Sequence, residues 1–314
     1  MRRIDPTSHG HAIERAVLAN EAARSPLVAS WARSARLHGL TPSKRRPPDR
    51  LTEAELAQAR DRMGPMIRLA APSLDRLFQS VGGVGCCVLL ADRDGVPLDR
   101  RGAAVDDATF ADWGLWTGAL WSEAQEGTNG IGTCLAEGRG VTIHRHQHFL
   151  TRNTVLSCMS APIFGATGTL VGALDVSSCR ADLTEGFASL IAQAVAEAAR
   201  RIEAEGFAAA HPGARILVVP GGEAGALLAV NADDLVIGAS RAARLMLGLS
   251  GDLAQSPRPA VDVLGQGGAD GLPDAERAVL VRALARAGGN VSAAARSLGI
   301  SRATFHRKLG TTRR

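Results

Sequence analysis

Tyrosine is missing from the 314 residues, and of the 36 basic residues only Lys44 and Lys308 are lysine. Both shortages fit a general bias toward arginine and alanine and carry no functional weight. No stretch approaches the roughly 20 consecutive apolar residues that a membrane span needs, so no membrane partner is expected. The five cysteines are an odd number: Cys86 and Cys87 are adjacent, and Cys134, Cys158 and Cys179 are scattered. They offer neither a paired disulfide framework nor the CxxC spacing of a zinc or thioredoxin-like site. Reduced, mostly buried thiols are expected. The opening Met1 to Pro6 lacks the apolar run of a signal peptide, which predicts a cytoplasmic protein. A GxxxxGK[ST] phosphate loop is also lacking.

What is present is an ordinary globular composition, 46% apolar and 21% charged, with room for two or three cores. The net charge of +5 conceals a segregation: residues 1–80 stand at +6, residues 81–271 at −8 and residues 272–314 at +7. A +7 excess within a short C-terminal stretch is the footprint of a segment that meets a polyanion.

Residues 1–80 read as a helical region. A helical pattern over Ala12 to Gly39 precedes a basic, proline-bearing break at Thr41 to Pro48, and Thr52-Glu53-Ala54-Glu55 offers a cap for a helix toward Phe78. The break is expected to be a solvated loop. From Val84 to Ala91 a short apolar run ends in Asp92-Arg93-Asp94-Gly95, a hairpin signal. Further strands are predicted at Gly140 to His144, Ser157 to Phe164 and Thr169 to Ser177, and helices at Asp106 to Thr117 and Asn129 to Glu137. In the last strand Leu170, Leu174 and Val176 share one face, which turns Asp175 to the other. The closing helix, Thr184 to Glu205, carries Phe187, Leu190, Ile191, Ala194, Val195, Ala198 and Ile202 as a stripe for a core or a dimer seam. The fold class is α+β, an antiparallel sheet covered by helices on one side.

Trp121-Ser122-Glu123, Glu126 to Thr133, His148-Phe149, Cys158 and Gly172 to Ser177 resemble the GAF sensor domain of bacterial regulators similar to the acetoin-catabolism regulator. The domain is placed at 81–205. The resemblance implies a sensor of a small-molecule effector or a protein signal. Residues 215–250 resemble the start of a PAS domain, with strands at Leu227 to Val230 and Leu235 to Ile237 and a helix at Ser240 to Leu247; residues 251–271 have linker composition.

Residues 272–314 read as three helices. Val279, Leu280, Ala283, Leu284 and Ala287 form a buried stripe in the first, Ser292 caps the second, Gly299 turns the chain, and Ser301 caps a third anchored by Phe305 and Leu309. This is a helix-turn-helix plan. The run from Gly289 to Arg296 and from Leu298 to Leu309 resembles the Fis-type DNA-binding domain that ends enhancer-binding activators. Arg302, Thr304 and His306 can reach base edges in double-stranded DNA, Arg296, Arg307 and Lys308 can clamp phosphates, and Ser301 sets the helix start. Activators of that family carry a central ATPase with a GAFTGA loop, which this chain lacks.

Among other candidates, Trp113, Trp116 and Trp121 can line a ligand pocket with Glu123, Asn129, His148 and Asp175 as polar groups, or simply pack. His144, His146 and His148 alternate, but a histidine cluster without a metal is the commoner state, so no metal and no cofactor is expected. Gly127 to Gly130 is a weak anion cradle. The sequence reading is a DNA-binding homodimeric regulator that is not an enzyme. The alternative is an adaptor that contacts RNA polymerase or a full-length activator. A redox enzyme using Cys134 or Cys158 ranks last, for want of a resolving thiol at motif spacing.

Overall fold

The computed structural model describes residues 6–19, 21–81, 85–222, 225–265 and 272–310, which form two compact units divided at Pro257 and Arg258. In the first unit α1 (Pro6–Leu18) and α2 (Pro26–Ala32) replace the single predicted helical pattern. Pro26 and the Ser25 cap start α2 afresh, and the chain leaves it through a π turn at Arg33–Leu37. The long α3 (Glu53–Val81) begins at a reciprocal cap: Glu55 Oε2 accepts from the Thr52 amide at 2.8 Å, and Thr52 Oγ1 accepts from the Glu55 amide at 3.3 Å.

A five-stranded antiparallel sheet follows, in the order β2-β1-β5-β4-β3. Its strands are β1 (Cys86–Asp92), β2 (Pro97–Gly102), β3 (Val141–His144), β4 (Ser157–Phe164) and β5 (Leu170–Ser178). Val84, where the first strand was expected to begin, lies outside the described residues. Between β2 and β3 run α4 (Asp107–Asp112), α5 (Glu123–Glu126) and α6 (Gly130–Glu137), and α7 (Glu185–Ala210) closes the domain. The helix expected to reach Thr117 stops at Asp112 because Gly114 takes a φ of +76° and turns the chain away.

Both faces of the sheet are covered, where one was expected. Val88, Leu90, Met159, Leu174 and Val176 pack against Leu74 of α3 and Ile191, Val195 and Ile202 of α7. On the other face Cys87, Leu89 and Ala91 meet Phe110, Leu115, Trp121 and Ile131. Residues of α3 thus share a core with the sheet. The stripe on α7 divides: Ile191, Val195 and Ile202 face inward, but Phe187 and Leu190 are 53% and 61% exposed, because they sit on the flank turned from the sheet.

Thr41, Ser43, Arg45, Arg46 and Pro47 of the basic break are exposed, as expected of a solvated loop, while the break and its exit are held at a few points. The Leu51 amide donates to Gly118 O and the Leu120 amide to Asp49 O, Pro48 is buried, and Lys44 Nζ donates to Gln125 O at 2.9 Å. Beyond α7, β6 (Arg215–Val218), β7 (Leu227–Val230) and β8 (Leu235–Ala239) pair antiparallel, and α8 (Arg241–Leu247) follows with Ser240 as its cap. Strand β6 has no counterpart in the sequence reading, since Arg215–Val218 is too short a run to stand out.

The second unit opens with β9 (Arg258–Pro259) and α9 (Ala260–Val263), short elements inside the stretch read as linker; residues 266–271 of that stretch lie outside the described residues. Three helices follow, α10 (Leu272–Arg286), α11 (Val291–Ser297) and α12 (Arg302–Gly310). Leu280, Ala283, Ala294, Ala295 and Phe305 form their core. Val279, expected in the buried stripe, is 44% exposed.

Candidate functional site

The helix-turn-helix is built by caps. Asn290, and not Ser292, starts α11: its side chain accepts from the Ala293 amide at 3.0 Å, two residues earlier than expected. Gly299 makes the turn at a φ of +66°. Ser301 Oγ then accepts from the Thr304 amide at 3.1 Å and starts α12. Phe305 is fully buried against the first two helices, which leaves Arg302, His306 and Arg307 exposed and Thr304 partly so. Arg296 on α11 is exposed as well. Lys308 forms an ion pair with Glu276 of α10, so the lysine expected on a phosphate has an acidic partner inside the unit.

In the sheet domain the seven polar and aromatic residues expected around a pocket fall into two buried networks and a cover, with Trp113 packed edge-on against Phe110 at 6.2 Å. Glu123 heads α5 and is bound from outside the sheet domain: Arg33 of the π turn grips it with Nε to Oε2 at 2.8 Å and Nη2 to Oε1 at 2.9 Å. Ser30 donates to the same Oε1 at 2.5 Å and Thr133 at 3.2 Å, while Arg33 Nη2 also reaches Glu137 at 2.8 Å. The fork on Glu123 raises the Arg33 pKa further above its usual range, against the desolvation that lowers it. Asn129 caps α6, its Oδ1 accepting from the Gly132 amide at 2.8 Å, and Thr128 is buried beside Ser30. The Gly127–Gly130 turn thus has its own polar partners, and no open anion cradle is formed there.

The second network lies where β4, β5 and α6 meet. Asp175 accepts from Ser160 Oγ at 2.5 Å and Ser177 Oγ at 2.7 Å; Ser177 Oγ lies 3.2 Å from Cys158 Sγ, which is 3.4 Å from His148 Nε2. Gly130 presses onto this row so closely that a Cβ there would lie 2.6 Å from the Cys158 Cβ and 2.7 Å from Asp175 Oδ1. Burial raises Asp175 to about 6, against the two serine hydrogen bonds that lower it, and lowers His148 to about 4. Burial also drives the Cys158 and Cys134 thiols up, the wrong direction for a nucleophile.

The alternating histidines diverge: His144 bonds to Ser157 Oγ at 2.8 Å, His148 turns inward, and His146 lies in a 3-10 turn, its ring 6.0 Å from that of His9. Among the described residues no group of three or more His, Cys, Asp or Glu side chains is placed to hold a metal. Trp121 is core, its Nε1 donating to Gly114 O at 2.7 Å. Trp116 is half-buried and stacks on Arg100, at 4.2 Å from its ring centre. Arg33, Ser30 and Arg100 escaped the sequence reading because a single arginine or serine in a helix or strand carries no periodic signal. A cavity of about 240 Å³ lies beside the first network, between Pro26 and Ser30 of α2, Thr133 and Glu137 of α6, and β3.

Residues 8–203 match the family described as MimR, N-terminal domain, and residues 271–310 match the bacterial regulatory protein, Fis family. The chain is 35% identical over 258 residues to the acetoin catabolism regulatory protein of Cupriavidus necator, covering 80% of this chain and 38% of that protein. It is 30% identical over 191 residues to the acetoin dehydrogenase operon transcriptional activator AcoR of Bacillus subtilis, covering 60% of this chain and 31% of the relative. A third relative is the propane 2-monooxygenase operon transcriptional activator MimR of Mycolicibacterium smegmatis, 32% identical over 163 residues, 51% of this chain and 26% of that one. The chain thus spans well under half the length of these relatives. In fold it is similar to the E. coli DhaR(N)-DhaL complex, with a TM-score of 0.53 at 17% identity over 72% of this chain and 78% of that one. Matched over more than half its length, the chain belongs to the MimR N-terminal-domain family, and it joins that GAF-like domain to a Fis-type helix-turn-helix.

Proposed function

We propose that this protein is a cytoplasmic, homodimeric regulator of transcription that binds double-stranded DNA through α12 and does so without hydrolysing ATP or acting as an enzyme. The observation that carries the reading is the capped turn ahead of α12, with Arg302, His306 and Arg307 exposed on one helix and Phe305 locked beneath them. Arg302, Thr304 and His306 read base edges; Arg296 and Arg307 hold phosphates, and Ser301 fixes where the helix begins. Lys308 contributes less, because contact with a phosphate competes with Glu276. The printed functions of the relatives, operon activators, support the same reading. The GAF-like domain senses a small-molecule or protein signal and shifts the molecule between two states of different DNA affinity. Trp116, Trp121, Glu123, Asn129, His148 and Asp175 frame the sensing region, with Trp116 in its cover and the others supporting it.

The test is retardation of duplex DNA by the full chain across a salt series. Affinity should fall steeply with salt, by a log–log slope of about 0.9 per neutralised phosphate. Arg302→Ala should cost about 1–3 kcal/mol on the preferred site and erase the preference, whereas Lys308→Ala should weaken all sequences slightly and alike. The missing GxxxxGK[ST] loop favours a second reading, an adaptor that contacts RNA polymerase or a full-length activator. Absence of retardation at low salt would select it.

A further inference from the structure

Arg100 lies on the edge strand β2, opposite Leu89 of β1, with a side chain only 10% exposed. Its guanidinium is sandwiched. The Trp116 ring centre is 4.2 Å from Cζ and that of Phe110 is 5.7 Å away. Toward its own strand the guanidinium rests on Gly102, where a Cβ would lie 2.3 Å from Nη2 and 2.7 Å from Cζ, so any other residue there would displace it. At one end Nη1 donates to Asp107 Oδ1 at 2.7 Å. At the other, Nε and Nη2 are both buried and neither has a hydrogen-bond partner.

Those two atoms form a unit. The Nε–H and the adjacent Nη2–H run parallel along one edge of the guanidinium and make the fork that matches the two oxygens of a carboxylate. Buried donors are nearly always satisfied, and a charged one left open is unfavourable. Here the whole fork is open, while aromatic stacking, Asp107 and the glycine keep its plane fixed.

We propose that the Arg100 fork binds a small organic carboxylate and that this is the effector class of the GAF-like domain, an inference that rests on the sensing role argued above. The charges favour a monoanion: Asp107 is 41% exposed and screened by solvent, so the buried guanidinium can meet one negative charge, whereas a dianion would bring a further uncompensated charge into a dry site. Apolar walls at Trp116, Phe110 and Leu89 suit an organic body more than a hydrated inorganic ion. With Nε and Nη2 sealed from solvent, the carboxylate enters only when α4 and the turn that follows it move. That turn is bounded by Gly114 and Gly118, at φ values of +76° and +85°. Binding therefore selects the moved state, and Trp116 reports it.

The experiment titrates the full chain with acetate, benzoate, inorganic phosphate and chloride while following tryptophan emission. Acetate or benzoate should give a saturable change that chloride and phosphate do not. Arg100→Lys, which keeps the charge and loses the fork, should weaken carboxylate binding at least about tenfold. Asp107→Asn keeps an oxygen to accept from Nη1 while removing the charge that balances Arg100, and should bind at least as tightly as the parent. The proposal fails if no carboxylate saturates, if chloride or phosphate saturates equally, if Arg100→Lys binds like the parent, or if Asp107→Asn binds more weakly. No DNA enters the assay, so its outcome is independent of retardation, and loss of retardation would leave it standing.

Discussion

Asp175 and His148 belong to one buried row of polar side chains, yet burial moves their titrations in opposite senses. Asp175 rises from its ordinary 3.8 to about 6 in the folded chain, so between those values the native state holds more protons than the unfolded one, and stability falls as pH rises. His148 drops from 6.5 to about 4, so the unfolded state holds more protons in that window, and stability rises with pH. Each effect is on the order of 3 kcal/mol, and between about pH 4 and 6 they largely cancel. Asp175→Asn removes one side of the balance. Its denaturation midpoint should climb more steeply than the parent's between pH 4 and 6.5. Equal pH profiles for the two proteins would rule this out. The direction of Asp175 was legible in the alternation of its strand, because strand residues take opposite faces in turn. The row it joins was not, since His148 and Cys158 reach it from other elements.

At the scale of elements, the joint between α2 and α5 is a single buried carboxylate gripped by an arginine and a serine from another part of the chain. Removing Glu123 takes the fork from Arg33, leaving it Glu137 alone, and takes the carboxylate acceptor from Ser30. Glu123→Ala should therefore cost about 1–3 kcal/mol and loosen the α1–α2 segment. Trypsin should then cut at Arg33 or Arg36 before the sheet domain unfolds, and cutting rates unchanged from the parent would contradict the assignment. Strands were legible almost to the residue where turns punctuate them, as at Ser157–Phe164, read at its observed bounds. Helix ends were less so. Asp107–Asp112 looked longer because Trp113 and Trp116 continue a helical spacing that Gly114 interrupts. Asn290 was passed over for Ser292 because either residue type can accept from a helix amide, and only the position of the next amides decides between them.

At the scale of the molecule, the chain forms two units with separate cores. Phe305 is the hub of the C-terminal core. Phe305→Ala should cost about 3–5 kcal/mol in a unit too small to absorb it, and should abolish DNA retardation. The sheet domain should keep its cooperative thermal transition and its response to acetate. Loss of that transition in the variant would show that the two units do not fold separately.

The amino-acid order by itself determined what depends on neighbours along the chain: the alternation that places Asp175, the caps at Thr52 and Ser301, the turn at Gly299, and the charge gathered in residues 272–314. Only the tertiary structure decided the partners of Glu123 and the open edge of Arg100. Arg33 and Glu123 stand 90 positions apart, and the two faces of the Arg100 sandwich come from Gly102 and from a turn folded back over the strand. Periodicity records which way a side chain points within its own element. Which charge or ring it meets depends on how distant elements pack, and that is set by the cores on either face of the sheet.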